Sequence, residues 1–555
     1  MKNTTLFFLG LFLFLSSFAF AKNTEFDYQF INQIAVQDQG RIKPLQTFFK
    51  DSVFLISKKL TSRKNNPTQV CLSWLSQPEK YELADLMYLK SKNLKKIIQL
   101  DLDKVYFSPF QIAHNEVFRK YLNEIDVRRD KGVTLNATEK EAVALFEQVN
   151  RFYGIAQGTQ LNVVPFDVEN NRWLSPIDLI PGSERAESMS DKFRYDFLAV
   201  MATVIQSFKN EEIETFKQSS KTLISIQKSI GESSGNLIPE KLIQLELFFN
   251  QFKPFHLVWK LFAFAVLAYF VPLFFPIIKR TWLFLPLFML AFVSYTFTGF
   301  SVILLLGYFP LSNLCDFANV VSWCCSVLAL WFALKDREMI YCFFAAIISL
   351  CVLLFFIPMS LEYGFPMEAF QQLHLTNLLY SFHVSFLTFA YAAFVFTFFI
   401  SHCLLGLFFL KKDINDNYKR LNVSLIQLLR FGLLGYVFGV ISASLWNRQL
   451  LGEFWGIEAK YVGSLLIILA YSINLHLRLI NRVTEHLFLM INIGLFHMLL
   501  FASLYGFSLV PATLKPSGGM LYFLVFIPLE MSFAALCYWL YLQPLPRRGK
   551  ILKGL

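Results

Sequence analysis

Residues 255 to 278 read FHLVWKLFAFAVLAYFVPLFFPII, a run in which Lys260 is the one residue with a full charge. A helix of about 20 apolar residues spans the hydrocarbon core of a bilayer, because each residue adds about 1.5 Å towards a thickness of about 30 Å. Similar runs follow at 281–304, 317–334, 339–359, 378–410, 429–446, 461–478, 485–505 and 520–543. The sequence therefore predicts an all-α polytopic membrane protein with about nine transmembrane helices.

The overall composition agrees with this prediction. Of 555 residues, 55% are hydrophobic and 16% are charged, and 63 are Phe, whereas soluble domains carry about 25% charged residues. An ordinary soluble enzyme is therefore excluded, and 24 Gly, 20 Pro and 8 Cys fit neither a collagen nor a disulfide scaffold. The net charge of +11 is compatible with nucleic acid or with cytoplasmic loops of a membrane protein.

The position of the basic residues decides between these two explanations. Cytoplasmic loops of membrane proteins are enriched in Lys and Arg. Alternate gaps between the apolar runs, together with the tail 546–555, hold most of the basic residues of this half, such as Lys279, Arg280, Lys411 and Arg547. This pattern predicts a membrane domain at 254–545 with a cytoplasmic C-terminal tail, and it requires no nucleic-acid partner.

The N-terminal part has a different composition. Residues 1–21 combine Lys2, an apolar run and an Ala19-Phe20-Ala21 cleavage pattern, which indicates a signal peptide; an uncleaved anchor helix is the alternative. Residues 22–253 contain no apolar run of spanning length and predict a mainly helical, extracytoplasmic soluble domain. Within it, Ser233 to Asn236 divide two helices, and Asn162 to Trp173 are strand- and turn-like.

A group of polar and aromatic residues stands out in the predicted outer region. His383 lies near the outer end of the fifth apolar run, and the next outer loop, 446–460, combines aromatic and charged residues. Such aromatics are often only anchors at the membrane interface. The same combination also suits a flat, apolar ligand with carboxylates, such as haem, whose iron binds imidazole. The loop residues concerned are Trp446, Phe454, Trp455, Glu458 and Lys460.

His476 lies near the inner end of the seventh run. An imidazole facing lipid is costly, so one expectation is that it faces the interior of the bundle; an interfacial position near the cytoplasmic boundary is the alternative. His497 and Glu530, in the eighth and ninth runs, are further candidates for an interior polar path.

The stretch from Trp446 to Arg478 resembles the tryptophan-rich signature of the CcsA/ResC cytochrome c biogenesis proteins, the haem-handling subunit of the system II cytochrome c synthase. That signature runs W-A-x-x-x-W-G-x-Y-W-x-W-D-P-K-E, followed by H-L-R. The chain keeps Trp446, Gly452, Trp455, Lys460 and His476-Leu477-Arg478, with Phe454 and Glu458 replacing the Tyr and the Asp. FPLSNLCD at 309–316, SFHVSFLTFAYAAF around His383, and VQDQGRIKPLQTF at 36–48 resemble further segments of the same family.

The sequence also departs from the family pattern. Leu451 and Ile457 replace two tryptophans, while Ala459 and Tyr461 replace the Pro and the Glu. In the family, a second external iron ligand is a His before the last span, where this chain has Lys515. A lysine amine binds iron only when deprotonated, which its usual pKa of about 10.4 disfavours.

The resemblance implies a function in cytochrome c biogenesis in the bacterial inner membrane, with a ResB/CcsB-like membrane subunit as partner and apocytochrome c as the protein that receives haem. His476 would take up haem, and His383, with the 446–460 loop and Lys515, would hold it at the outer face. The protein would then be a subunit of a holocytochrome c synthase. A diverged paralogue that acts as a non-catalytic assembly protein, with weak or no haem binding, is the alternative, and a transporter of another amphipathic ligand is a third.

Overall fold

The computed structural model describes residues 26–58, 66–131, 135–167, 172–277, 280–307, 309, 311, 314–362, 378–409, 416–455, 459–477 and 485–506. The predicted signal peptide at 1–21 and the ninth apolar run at 520–543 lie outside these residues. The described residues form two compact units. One lies within Met1–Lys50, Ser62–Ala84 and Arg151–Pro239, and the other within Asp51–Thr61, Asp85–Asn150 and Glu240–Leu555.

Before residue 253 the described chain is mainly helical, with three short antiparallel strand pairs. The strands are β1 Ala35–Asp38, β2 Arg41–Pro44, β3 Met87–Tyr88, β4 Tyr106–Phe107, β5 Val164–Asp167 and β6 Trp173–Leu174. The helices are α1 Leu45–Ser57, α2 Pro67–Ser76, α3 Pro78–Glu82, α4 Lys92–Ile97, α5 Pro109–Ala113, α6 Glu116–Asp130, α7 Ala137–Ala156, α8 Asp191–Lys209, α9 Ile213–Ser234 and α10 Glu240–Phe252. The predicted break between two helices is confirmed, because Gly235 has φ +76° after α9.

The segment VQDQGRIKPLQTF forms a hairpin followed by a helix. Strands β1 and β2 pair antiparallel, and Gln39 and Gly40 turn between them with φ of 51° and 80°, as a two-residue hairpin loop requires. Asp38 pairs with Lys43 at 2.8 Å and with Arg151 at 3.2 Å, and the Arg151 guanidinium lies 4.9 Å from the centroid of the Phe48 ring. Asp38 and Lys43 of this segment thus form a mostly buried ion cluster with Arg151 inside the first unit.

Gln227 of α9 completes the same hairpin from far along the chain. Its side-chain oxygen accepts from the Ala35 amide at 3.1 Å, and its nitrogen donates to the carbonyls of Ala35 and Val163 at 2.7 and 2.6 Å. The side chain is 1% exposed, so it supplies hydrogen bonds where water cannot. One glutamine therefore links β1 to the residue that precedes β5.

After residue 253 the described chain consists of long apolar helices. They are α11 Pro254–Phe274, α12 Arg280–Leu306, α13 Leu314–Asp336, α14 Ile340–Glu362, α15 Leu378–Phe409, α16 Asp416–Leu451, α17 Ala459–Leu477 and α18 Glu485–Gly506. They coincide with the first eight predicted runs, although α16 begins 13 residues before its apolar run. Five of the described helices, within α11, α12, α13, α15 and α16, are long and apolar enough to cross a membrane, and α14, α17 and α18 contain shorter apolar stretches. The all-α membrane class is supported, whereas the count of nine stays a prediction.

Among the apolar helices, α15 makes its largest contact with α16. It also packs against α13 and α18, while α17 packs against α16 and α18. Because side chains from all of these helices join one buried cluster, α15 lies at the centre of the packing. Residues on α15 are therefore in reach of groups from three other helices.

Candidate functional site

Helices α15 and α16 approach closely because glycines line their contact. A Cβ atom at Gly439 would lie 2.8 Å from Leu387 Cδ2 and 3.3 Å from the Leu387 backbone nitrogen, so no larger residue fits without movement. At Gly435 the added atom would lie 3.3 Å from the Phe386 carbonyl oxygen. Small residues four apart are typical of close helix packing in membranes. This spacing brings backbone atoms of α16 within reach of α15 side chains.

His383 uses this close approach. Its Nδ1 lies 2.8 Å from the carbonyl oxygen of Gly439, and because a carbonyl only accepts, Nδ1 carries the hydrogen and donates it. In the neutral ring the lone pair is then on Nε2. Histidines that bind metals are typically held in this way, with the other ring nitrogen donating to a carbonyl or carboxylate. The geometry therefore fits an imidazole prepared to bind iron through Nε2.

Trp446 lies beside this imidazole. The sequence predicts that Trp446 belongs to the outer loop, but in the structure it lies within α16. Helix α16 continues to Leu451 and ends at Gly452, where φ is +79° and the amide donates to the Arg448 carbonyl at 2.9 Å. The residues WNRQLL include neither Gly nor Pro, so nothing stops the helix earlier. The Trp446 and His383 ring centroids are 6.5 Å apart, and the ring planes differ by 19°.

The described part of the predicted outer loop, residues 452–455, is hydrogen-bonded to the last turns of α16. Ser444 Oγ donates to the Phe454 carbonyl at 2.6 Å, and Asn447 Nδ2 donates to the Glu453 carbonyl at 3.0 Å. The Arg448 guanidinium lies 4.2 Å from the centroid of the Phe454 ring. Phe454 and Trp455 are 46% and 41% exposed, so the loop presents aromatic surface with a cation beside it.

Three other predicted site residues cannot be placed relative to His383. Glu458 and Lys515 lie outside the described residues. Lys460 is described only by its backbone, in the first turn of α17. The structure therefore brings together two of the predicted site residues, Trp446 and His383.

His476 does not face the interior of the bundle, contrary to the first of the two sequence-based expectations. Its side chain is exposed, and its Nδ1 donates to the Ser472 carbonyl at 2.7 Å, one turn earlier in α17. The buried face of α17 carries Tyr471 and Asn474 instead, both with no exposed surface. Residues two apart point to opposite sides of a helix, so burying Asn474 turns His476 outwards.

An interior polar network that sequence reasoning missed connects three helices. Asn474 Nδ2 donates to Asn492 Oδ1 at 3.4 Å, and Asn492 Nδ2 donates to Ser401 Oγ at 2.9 Å. Both amides are fully buried. Two asparagines inside apolar runs were the available signal, because polar side chains at membrane depth normally bond between helices.

Known proteins resemble this chain in the region that contains the site. Residues 311–515 match the family described as "Cytochrome C assembly protein". The resemblance to the CcsA/ResC-like cytochrome c biogenesis family is therefore confirmed. His383, Trp446 and His476 all lie within the matched residues.

Two curated relatives extend this comparison. The chain is 25% identical to "Protein NrfI" of Wolinella succinogenes over 465 residues, which is 80% of this chain and 49% of the relative. It is 28% identical to "Cytochrome c biogenesis protein CcsA" of Chlamydomonas reinhardtii over 184 residues, which is 31% of this chain and 51% of the relative. The chain thus spans about half the length of the curated relatives that it matches.

Proposed function

We propose that this CcsA-like protein binds haem at the outer face of the bacterial inner membrane and presents it for attachment to apocytochrome c. The observation that carries this proposal is the hydrogen bond from His383 Nδ1 to the Gly439 carbonyl, which leaves the lone pair on Nε2. The similarity to cytochrome c assembly proteins supports the choice of haem as the ligand.

Different residues of the chain would contact different parts of the haem. His383 would bind the iron through Nε2, Phe454 and Trp455 would offer exposed aromatic faces, and Arg448 would offer a guanidinium for carboxylates. The bound haem supplies the vinyl groups and the substrate supplies the thiols, so the protein contributes proximity and orientation. On the resemblance alone, we include Glu458, Lys460 and Lys515 in this outer site, and we assign to His476, near the opposite end of α17, the uptake of haem.

The proposed partners are a ResB/CcsB-like membrane subunit and the apocytochrome. The proposed topology is an extracytoplasmic N-terminal domain and a cytoplasmic C-terminus, as the basic residues indicate. In this arrangement the end of α16 and the loop that follows it face the compartment in which the apocytochrome is modified.

A diverged paralogue that assists assembly without binding haem is the second candidate. The observations that favour it are Leu451, Ile457 and Lys515 at positions where the family has two tryptophans and a histidine. A lysine ligand requires burial to lower its pKa before the amine can bind iron.

Deleting the gene and staining membranes for covalent haem tests the proposal. Loss of the stained c-type cytochromes is expected for a synthase subunit, whereas unchanged staining would exclude that role.

The purified protein gives a second test of haem binding. It should carry haem, and the Soret band of that haem should shift in His383→Ala and stay in place in His402→Ala. His402 is the matched control because it lies on the same helix and its Nδ1 bonds to the Phe398 carbonyl within α15. A colourless protein from a haem-replete host would favour the paralogue. Lys515→His should raise haem occupancy if that residue stands at the ligand position.

A further inference from the structure

We propose that Trp446 is a positioning residue for the His383 imidazole, and that it is not a surface on which a porphyrin ring lies. The inference rests on the proposed function, because it assigns a role beside the proposed iron ligand. It gives Trp446 a different role from Phe454 and Trp455, the other aromatic residues between 446 and 460.

The relative orientation of the two rings carries the argument. The indole and imidazole planes differ by 19°, so they are close to parallel. A metal–imidazole bond lies in the plane of the imidazole, and a porphyrin lies across that bond. A porphyrin bound through Nε2 of His383 therefore stands nearly at right angles to the indole and cannot lie flat against it.

The same helix constrains the imidazole twice. Gly439 and Trp446 are seven residues apart on α16, which is close to two helical turns, so both meet α15 from one side. The Gly439 carbonyl fixes which nitrogen carries the hydrogen. To the indole, whose ring centroid lies 6.5 Å from that of the imidazole, the proposal assigns the restriction of imidazole rotation about the bond to the Cβ atom. Together they hold Nε2 in one direction.

Helix α15 holds the indole in turn. The Tyr380 ring centroid lies 5.0 Å from that of Trp446, with the planes at 55°, and Tyr380 precedes His383 by three residues on the same face of α15. The indole thus contacts Tyr380 and lies beside His383. Trp446 is also partly buried, whereas Phe454 and Trp455 are exposed, so the latter two have the free surface that a porphyrin face requires.

The first experiment uses the full-length protein without haem. Reaction of His383 with diethyl pyrocarbonate, measured as the difference from His383→Ala, reports how firmly the imidazole is held. Trp446→Leu should accelerate this reaction several-fold and Trp446→Phe should restore the slow rate. Equal reaction rates of His383 in the wild-type protein, Trp446→Leu and Trp446→Phe would overturn the proposal, even if the protein never binds haem.

The second experiment separates positioning from face binding in the haem-loaded protein. In His383→Gly, added imidazole can take the place of the missing side chain. Removal of a group that orients a metal ligand typically lowers affinity 10- to 100-fold. Trp446→Leu should therefore lower haem affinity about tenfold when His383 is present and leave it unchanged in His383→Gly with imidazole.

Trp455→Leu serves as the matched control, because it should lower affinity in both backgrounds. An equal loss in both backgrounds for Trp446→Leu would show that Trp446 binds the porphyrin directly, and would refute the proposal. Absence of haem from the wild-type protein would instead refute the proposed function. The rates of carbethoxylation, the reaction of His383 with diethyl pyrocarbonate, would still decide the role of Trp446.

Discussion

Asn474 and His476 lie on opposite faces of α17, the first fully buried and bonded to Asn492, the second exposed. The rotation of this helix therefore determines which of the two polar side chains the bundle encloses. The interhelical amide bond favours the observed rotation, because turning α17 by half a turn would leave the amide of Asn492 without that partner.

This rotation can be tested by chemical labelling. His476→Cys should react with N-ethylmaleimide faster than Asn474→Cys, each measured as the increase over the native cysteines. The reason is that a buried thiol is both inaccessible and disfavoured as thiolate. Faster labelling of the cysteine at 474 would show that α17 is turned the other way.

The interior amides should contribute measurably to stability. Asn492→Leu removes two interhelical hydrogen bonds and Ser401→Ala removes one, and each such bond contributes about 0.6 to 2 kcal/mol in membrane proteins. Thermal unfolding in detergent should therefore show a larger loss for Asn492→Leu than for Ser401→Ala. A more stable Asn492→Leu protein would mean that these bonds do not hold the helices together.

The close contact of α15 and α16 should not tolerate a methyl group. Gly439→Ala places an atom 2.8 Å from Leu387 Cδ2, and overpacking of this kind costs about 1 to 3 kcal/mol. Gly406→Ala is the matched control, since nothing lies within 4 Å of its added atom. We expect a lower unfolding temperature and faster carbethoxylation of His383 for Gly439→Ala alone; equal behaviour of the two variants would contradict the contact.

The ion cluster of the first unit should make stability depend on pH. Burial raises the pKa of Asp38, but the charges of Lys43 and Arg151 outweigh burial and hold the pKa below its ordinary value. A lowered pKa in the folded protein contributes stability above the unfolded value of about 3.9, and this contribution is lost as pH falls through the folded pKa.

Replacing the carboxyl should reveal that contribution. Asp38→Asn removes the carboxylate that pairs with two mostly buried cations, at a cost of about 3 kcal/mol near pH 7. The difference in stability from wild type should shrink below about pH 4. Asp126→Asn is the control, because the Asp126–Arg129 pair is more than half exposed. Thermal unfolding from pH 3 to 7 measures both; a constant difference across that range would exclude the linkage.

The sequence predicts the position of helices better than their rotation. Eight apolar runs coincide with helices because length and hydropathy suffice to find a long apolar helix. A helix that is apolar on all sides shows no preferred face, so the pattern could not tell that His476 points outwards. The sequence predicts a loop at Trp446 because the aromatic pattern continues past Gly452, where α16 ends.

The contacts that define the site also cannot be predicted from the sequence around each residue, because their partners are far away in the chain. The Gly439 carbonyl meets His383 across 56 residues, and Arg151 meets Asp38 across 113. A backbone carbonyl has no sequence signature at all. The glycines at 435 and 439 were the available clue, since four-residue spacing of small residues indicates a close helix pair.

The bonds from Gln227 to Ala35 and Val163 have a consequence for synthesis. The hairpin lacks its two bonds to Gln227 until that residue, 192 positions after Ala35, has been made. The first described apolar helix, α11, begins at Pro254, so it follows soon afterwards. Contacts so distant in sequence slow folding, because the loop must close before they form. The N-terminal unit is therefore expected to reach its final state only as the membrane part begins to emerge from the ribosome, so that its folding and membrane insertion overlap in time.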